Sequence, residues 1–595
     1  MRLPTPSSLS FFPFKEEFRS YRLRSLWQDL LAAFAVTFLS IPQSIAYSLL
    51  AGLPPIAGLL SAIFGTIFSA AFGSSRVLVS GPSTGVSILI QTSIATLLST
   101  YFENVTGPER EALVMHILGQ IVLIVGIIQI GAAFFNVSKL LQFVSRPVIL
   151  GYFAGIVIAT FVNQLFYFLG ISMSGRENFV LYKAFQLVWH IHEVSWMTLL
   201  IGSASLILLL LLKKKPKTMQ WLPDALMVLV FASVLNYLLA FTQDESSVKT
   251  LQVFNVSRES FVNFTFVLLD FTLINKVFPA AVAIAFLAIL EVSSISRNFA
   301  GRTGQQVQAN QDALGLGLAN TILSFLSGAM PISGSATRTS LNYNLRAQSR
   351  LAAIFCGLFT AAIIAFCLPL LQLIPLAALA ALMLVAAPAL INREELSLIM
   401  HATREDRWVF VFTCTSCLIF DLDIAFFTGI VLSIATYLRR SAIPHLVEYA
   451  FNSKGRLMVV SSKENVHRKV RIIGIGGDLY FGSADVFQAA LQGIAADHNV
   501  QAIVLRLNNV HHMDASICLA IQKLREQLAA ENRYLVISGL TEEVWHVFHR
   551  TGLVKQIGLD NLYFTDESNP QFSTWKACLR AQDLIHHNVR GDVAP

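Results

Sequence analysis

From about Leu30 to Leu438 the chain repeats one pattern, runs of mostly apolar residues separated by short polar loops. Crossing the hydrocarbon core of a bilayer takes ~20 such residues in a helix, and roughly 12 to 14 candidate spans occur, several of them short or broken by Gly and Pro. Backbone groups have no water to bond at that depth, so a helical bundle is the fold open to such a chain. Composition agrees. The 595 residues are 54% hydrophobic and only 13% charged, about half the ~25% usual in soluble domains. That excludes a disordered chain, which needs high charge and low hydrophobicity. It also leaves too few charges to cover a soluble enzyme.

The net charge of +7 is placed where a membrane protein keeps its positive charge. Lys213-Lys214-Lys215-Pro216-Lys217, Arg297 to Arg302 and Arg439-Arg440 each directly follow an apolar span. They read as cytoplasmic loops under the positive-inside rule, not as a nucleic-acid surface. Basic loops after even-numbered spans, among them Asn392–Arg407, place both termini in the cytoplasm. Residues 1–28 have no secretory signal and read as a cytoplasmic lead-in. Residues 29–442 read as the membrane domain and 443–468 as a linker. From 469 to 595 the pattern is that of a soluble unit. Strands over Val470–Ile475, Ala502–Leu507 and Tyr534–Ser538 alternate with helices over Ala484–Ala496, Ala515–Ala530 and Glu543–Arg550, and the tail after Trp575 frays or forms a last helix.

Two segments inside the membrane domain depart from the pattern. Ser80-Gly81-Pro82-Ser83-Thr84-Gly85-Val86-Ser87 is one break, and Gly328 to Ser340, centred on Pro331-Ile332-Ser333-Gly334-Ser335, is the other. Irregular backbone survives at membrane depth where it is buried in protein or lines a cavity. Breaks in corresponding places of two halves point to an inverted repeat with half-helices at a binding site.

Asp29-Leu30, Ile41-Pro42-Gln43-Ser44-Ile45-Ala46-Tyr47, Ala51-Gly52-Leu53-Pro54-Pro55 and Phe72-Gly73-Ser74-Ser75-Arg76 resemble the opening signature of the SulP anion transporters. Gly334-Ser335-Ala336-Thr337-Arg338-Thr339 resembles that family's second half-helix motif. Gly477-Asp478-Leu479-Tyr480-Phe481-Gly482 and Val510-His511-His512-Met513-Asp514-Ala515-Ser516 resemble its STAS domain. The resemblance covers nearly the whole chain in order. It implies an α-helical polytopic membrane protein with a seven-plus-seven inverted repeat, two half-helices, core and gate domains, and a cytoplasmic α/β STAS domain. It also implies a homodimer and small anionic substrates: sulfate, bicarbonate, chloride, oxalate or dicarboxylates.

An anion crossing a bilayer exchanges its hydration for protein donors. Helix N-termini supply N–H groups and a positive dipole end. Ser83, Thr84 and Ser87 add hydroxyls at the first break, and Ser335, Ala336 and Thr337 add backbone N–H groups and two hydroxyls at the second. Ser and Thr also cap helices for purely structural reasons, and at a cavity the two geometries coincide. Arg338 could balance the anion and grip an oxyanion with its fork, or serve as a structural ion-pair partner. Gln43 and Tyr47 share a helix face. That face could be packing, and the resemblance places it in the pocket. Glu291 follows twelve uncharged residues, Pro279 to Leu290, and could exchange a proton there. The alternative is a permanent ion pair with Arg338. The resemblance to proton-coupled members favours protons over sodium.

Other motifs carry less. Cys414-Thr-Ser-Cys417 lies in a span and reads as buried thiols, Asp421 and Asp423 as a solvated turn, and His511-His512 lacks a third metal ligand. Asp514 and Ser516 open a helix after a strand. They read as an N-cap, with a phosphorylation switch as the regulatory alternative. The expectation is an anion–proton symporter with sulfate favoured, in a bacterial inner membrane, with a cytosolic partner for the STAS unit and no cofactor. Sodium–bicarbonate or dicarboxylate carriage, exchange, a channel and a sensor are the alternatives.

Overall fold

The computed structural model describes residues 9–10, 13, 21, 23–102, 105, 107–137, 144–171, 180–212, 224–240, 248–251, 270–326, 328–452, 455–460, 469–477, 479–510, 512–566 and 569–591. Most of 1–28, the Lys213–Lys217 cluster, Asp478 and His511 lie outside them. The chain forms two compact units, Met1–Ser433 and Ile434–Pro595.

The first unit is helical. Its first half runs through α1 (Leu23–Leu50), α2 (Pro55–Phe72), strand β1 (Ser80–Gly81), α3 (Thr84–Tyr101), α4 (Pro108–Phe134), α5 (Arg146–Leu169), a short α6 (Val180–Trp189), α7 (Trp196–Leu212) and α8 (Asp224–Ala240). The second half repeats the order with α9 (Phe271–Thr303), α10 (Ala309–Ser324), β2 (Ser333–Gly334), α11 (Ala336–Asn344), α12 (Leu351–Gln372), α13 (Leu376–Ala386), a short α14 (Arg393–Ala402), α15 (Arg404–Ile419) and α16 (Leu422–Ser441). Among the described helices, α1, α2, α4, α5 and α9 are long and apolar enough to cross a membrane, and α7, α8, α12 and α13 are shorter apolar helices.

These helices pack in two groups. α4 lies against α9 and α10, α12 against α1 and α2, and α2 against α10. Separately, α5 lies against α13 and α15, and α7 against α8 and α13. Close approach depends on small residues. A Cβ on Gly155 of α5 would collide with Cys417 of α15, and one on Gly58 of α2 with the Ser44 carbonyl of α1. Cys414 and Cys417 are free thiols.

Two basic segments expected as loops are helical. Arg297 to Arg302 form the last turns of α9, which Gly304 ends in a left-handed conformation, φ +69°. Only glycine takes that shape without strain. Asn392–Arg407 holds α14 and the start of α15. The Asn392 side chain accepts from Glu394 N–H, and Thr403 accepts from Asp406 N–H, so each helix starts on its own cap.

The signature residues near the chain start act as struts. Asp29 accepts from Tyr21 Oη (2.7 Å), Gln348 N–H (2.7 Å), Ser349 N–H (3.2 Å) and Ser349 Oγ (2.6 Å). Arg350 donates to the Gly73 carbonyl (2.7 Å), and Asp312 accepts from Ser74 N–H (2.7 Å). Both halves are thus tied through the α2–β1 connection.

The second unit is a six-stranded sheet in the order β4-β3-β5-β6-β7-β8. β3 (His445–Phe451) is antiparallel to β4 (Leu457–Val459) and β5 (Val470–Gly476). β6 (Ala502–Asn509), β7 (Tyr534–Leu540) and β8 (Leu562–Phe564) continue in parallel. Successive residues alternate between two cores. Ile473, Leu505 and Ile537 pack with residues of α17 (Ala484–Ala495), α18 (Ala515–Ala530), α19 (Glu542–Thr551) and α20 (Leu553–Ile557). Ile472, Val504 and Val536 face Ala577, Ala581 and Ile585 of α21 (Phe572–Gly591). The expected linker over 443–468 is therefore corrected, because β3 and β4 lie within it. His-Leu-Val-Glu-Tyr-Ala-Phe reads poorly as a strand because of its central glutamate. That glutamate has a partner one strand away, since Glu448 receives both Nε (2.6 Å) and Nη2 (2.8 Å) of Arg471 on β5.

Removing one partner of a largely buried pair costs up to about 3 kcal/mol, and here Asp497 Oδ2 stays 3.7 Å from Arg471 Nη1. Glu448→Ala should destabilise the second unit by about that amount, read as an earlier denaturant midpoint for the tryptophan signal of Trp545. Glu448→Ala with Arg471→Leu should recover much of the loss. An unchanged midpoint in the single variant would refute the role of the pair.

Candidate functional site

The two breaks meet. Ser80 pairs with Gly334 and Gly81 with Ser333 in an antiparallel two-strand contact deep in the bundle. Further out, Ser335 N–H donates to the Val79 carbonyl (3.1 Å), and Val79 N–H donates to Thr339 Oγ1 (3.1 Å). Side chains from neighbouring helices hold the remaining backbone groups. Ser61, in a π-turn of α2, accepts from Met330 N–H (2.9 Å) and lies 2.7 Å from the Met330 carbonyl. Thr66 donates to the Ser80 carbonyl (2.7 Å), and Asn320 accepts from Ile332 N–H (2.9 Å). A buried amide left without a partner costs about 1–3 kcal/mol, so the irregular backbone stands on these bonds.

Both breaks end in a helix N-terminus. Ser83 caps α3 by accepting from Val86 N–H, and Ser335 caps α11 by accepting from Arg338 N–H, each at 3.4 Å. The helices are unequal, 18 residues in α3 and 9 in α11. Only α11 has the length expected of a half-helix. The N–H groups of Thr84, Gly85, Ala336 and Thr337 precede the first backbone bonds of their helices and are the donors available there.

Glu291 of α9 joins the two breaks. Its Oε2 accepts from Ser83 Oγ at 3.0 Å and also from Ser333 Oγ. Ser333 was not singled out in the sequence. Gly85 makes room for the carboxylate, since a Cβ there would lie 3.1 Å from Glu291 Oε1. Arg338 is fully buried, with Nη1 donating to Ser40 Oγ (3.2 Å) and Nη2 donating to the Pro82 carbonyl. A Cβ on Gly81 would collide with this guanidinium.

Each outer nitrogen of the Arg338 fork makes one bond to protein, and Nε is buried without a hydrogen-bond partner. Glu291 and Arg338 form no ion pair within 4.0 Å; their hydrogen-bond partners are the serines, Ser40 and Pro82.

The other residues separate into two sets. Gln43 Nε2 lies 3.4 Å from Thr337 Oγ1, and Ser335 Oγ lies 3.3 Å from the same hydroxyl. Tyr47 reaches the Thr84 side chain. Gln43, Tyr47, Thr84, Ser335 and Thr337 therefore gather at the two N-termini, and Ala336 is exposed beside them. Ser87 does not join them. It is fully buried and donates to the Ser83 carbonyl (2.7 Å) within α3. Ser40 was missed, although its spacing of three and seven from Gln43 and Tyr47 puts it on the same face of α1. In the second unit Asp514 caps α18, accepting from Ser516 N–H (3.0 Å) and Ile517 N–H (3.2 Å). It also holds Phe481 N–H at 2.6 Å. Asp421 accepts from Thr96 Oγ1 (3.2 Å).

Comparison with known proteins follows this division. The sequence profile of the sulfate permease family matches residues 26–413, and that of the STAS domain matches residues 458–568. The chain is 26% identical over 573 residues to the chloroplastic sulfate transporter 4.1 of Arabidopsis thaliana, covering 92% of this chain and 80% of that protein. It is also 26% identical over 551 residues to the putative sulfate transporter YvdB of Bacillus subtilis (strain 168), covering 92% and 98%. The fold matches a murine solute carrier 26 family member A9 anion transporter in the inward-facing state, with a TM-score of 0.84, 17% identity and coverage of 98% and 96%.

The Arg338 geometry is open to test. Lysine cannot span Ser40 and the Pro82 carbonyl with two nitrogens. Arg338→Lys should lower transport at least ten-fold with the folded fraction preserved on size exclusion. Gly81→Ala should do the same by displacing the guanidinium. Full transport in both variants would show that this anchoring is dispensable.

Proposed function

We propose that this chain, which belongs to the sulfate permease family, is a secondary active transporter that carries sulfate together with a proton. The observation that carries the reading is Glu291, held between Ser83 and Ser333, the hydroxyls of the two breaks. A carboxylate there occupies the positive ends of both helices, where an incoming anion would also bind. Ionised, it repels the anion. Protonated, it releases two serine hydroxyls and removes that repulsion. The anion then meets the N–H groups of Thr84, Gly85, Ala336 and Thr337, the hydroxyls of Ser83, Ser335 and Thr337, and the side chains of Gln43 and Tyr47. Arg338, one layer behind, lowers the energy of the anion without a direct bond. Proton and anion thus favour each other's binding, which is the thermodynamic requirement for symport.

Movement follows from the packing. One helix group carries both breaks and Glu291, and the other contains α5, α7, α8, α13 and α15. Sliding of the first against the second would carry the site across the bilayer as an elevator. The names of the relatives support sulfate as substrate. The arginines at the ends of α9 and α16 support a cytoplasmic side there under the positive-inside rule, and the reading puts both termini on that side of a bacterial inner membrane. The protein assembles as a homodimer, and the second unit is the contact point for a cytosolic partner. Ser516, on the turn capped by Asp514, is its site of regulation.

Labelled sulfate uptake into liposomes holding the purified protein tests the reading. An inward proton gradient should drive accumulation at least ten-fold above equilibrium filling, increasing as external pH falls. Glu291→Gln should lose the gradient dependence while still equilibrating sulfate. Uptake by the wild type that ignores the proton gradient would overturn proton coupling, and no sulfate uptake would overturn the substrate.

A further inference from the structure

α6 is oriented the wrong way round for a surface helix. Leu181, Phe185, Val188 and Trp189 are exposed, while Lys183 is its one buried residue, 7% exposed. A lysine at the edge of a membrane domain ordinarily extends its ammonium toward water. This one points into the bundle, away from the apolar face that its own helix presents outward. A buried ammonium is expensive and, within membrane proteins, marks function by default.

Among the described residues, no carboxylate pairs with Lys183. Nζ lies 3.2 Å from Asn163 Oδ1 on α5, and Asn163 Nδ2 lies 3.4 Å from Gln91 Oε1 on α3. The polarity of this chain follows from the ammonium, which can only donate. It turns the Asn163 carbonyl toward itself, so the Asn163 amide N–H2 faces Gln91. Gln91 in turn directs its own N–H2 away from Asn163. Among the described residues, two N–H groups of Lys183 and the N–H2 of Gln91 then have no acceptor. The cluster is a set of donors with one positive charge and no negative group, which is the complement of a small oxyanion.

Its position connects it to the site. Gln91 lies seven residues after Thr84 on α3, or about 10 Å along the helix. The Gln91–Asn163 bond also links the two helix groups, since α3 carries the first break and α5 packs with α13 and α15. Asn163 lies in the last two turns of α5, toward the end where that helix finishes.

We propose that Lys183, Asn163 and Gln91 form a second anion station, which takes a small oxyanion such as sulfate between that end of the bundle and the paired breaks. The anion replaces Asn163 Oδ1 as acceptor for Lys183 and collects the free Gln91 N–H2. Doing so opens the amide link between the two helix groups. The station rests on the carrier reading above, with sulfate as the anion.

Sulfate transport kinetics measured separately from each face, in intact cells and in inverted membrane vesicles, test the station. Lys183→Gln should raise KM about ten-fold from the face where α5 ends and leave KM from the opposite face unchanged, and Lys183→Arg should restore it. Asn163→Asp places a carboxylate against the ammonium as an internal substitute for the anion. It should raise the same KM while thermal stability stays equal or increases, which a purely structural lysine would not produce. If the wild type takes up sulfate and Lys183→Gln keeps its KM on both faces, or raises both equally, the station is wrong and the carrier reading stands. Wild-type kinetics in Asn163→Asp would also overturn it. Absence of sulfate uptake by the wild type removes the carrier reading and the station with it.

Discussion

The pairing of four residues, Ser80 and Gly81 with Gly334 and Ser333, is the contact on which the membrane unit depends. A chain that leaves the helix inside a bilayer exposes N–H and C=O groups where no water can reach them. Here each break supplies partners to the other, and Ser61, Thr66, Asn320 and Thr339 bond the groups left over. Because the partners come from both halves, neither break can be satisfied without the other. The arrangement brings two helix N-termini together, and with them the positive ends of two dipoles.

Glu291 and Arg338 serve this junction from opposite sides without meeting each other. The carboxylate holds the serine hydroxyls in front, and the guanidinium holds the Pro82 carbonyl and Ser40 behind. Had they paired directly, their charges would cancel and the site would offer little to an anion. Held apart, they leave one buried guanidinium and one buried carboxyl group at the junction, each with its own partners. The same separation explains why glycine stands at 81 and at 85, since each gives way to one of the two charged groups.

A buried charge recurs at Lys183, where among the described residues the partners are the amides of Asn163 and, through it, Gln91. The contrast with Glu448 and Arg471 is instructive. There a bidentate pair is largely buried between β3 and β5, with Asp497 3.7 Å from the same guanidinium, and it fixes two neighbouring strands. Paired charges hold a structure in place.

Fold class was legible in the chain because hydropathy over ~20 residues and the later alternation of strands and helices are local properties. The breaks were legible for the same reason, since Pro, Gly and Ser cluster within a few residues. So were Glu291 and Arg338, as charges in uncharged surroundings. What those residues touch was not. The Ser83–Glu291 bond spans 208 positions and the Arg338–Ser40 bond 298, and no local pattern encodes contacts at that separation. Ser87 looked equivalent to Ser83 by composition, but one turn of helix directs it to its own backbone. β3 was hidden because its glutamate finds Arg471 only after the sheet forms. Lys183 resembled any lysine at the edge of a span until the packing of α6 turned it inward. Spacing and composition decide which groups a chain carries to the membrane interior, and the meeting of its two halves decides which of them face each other.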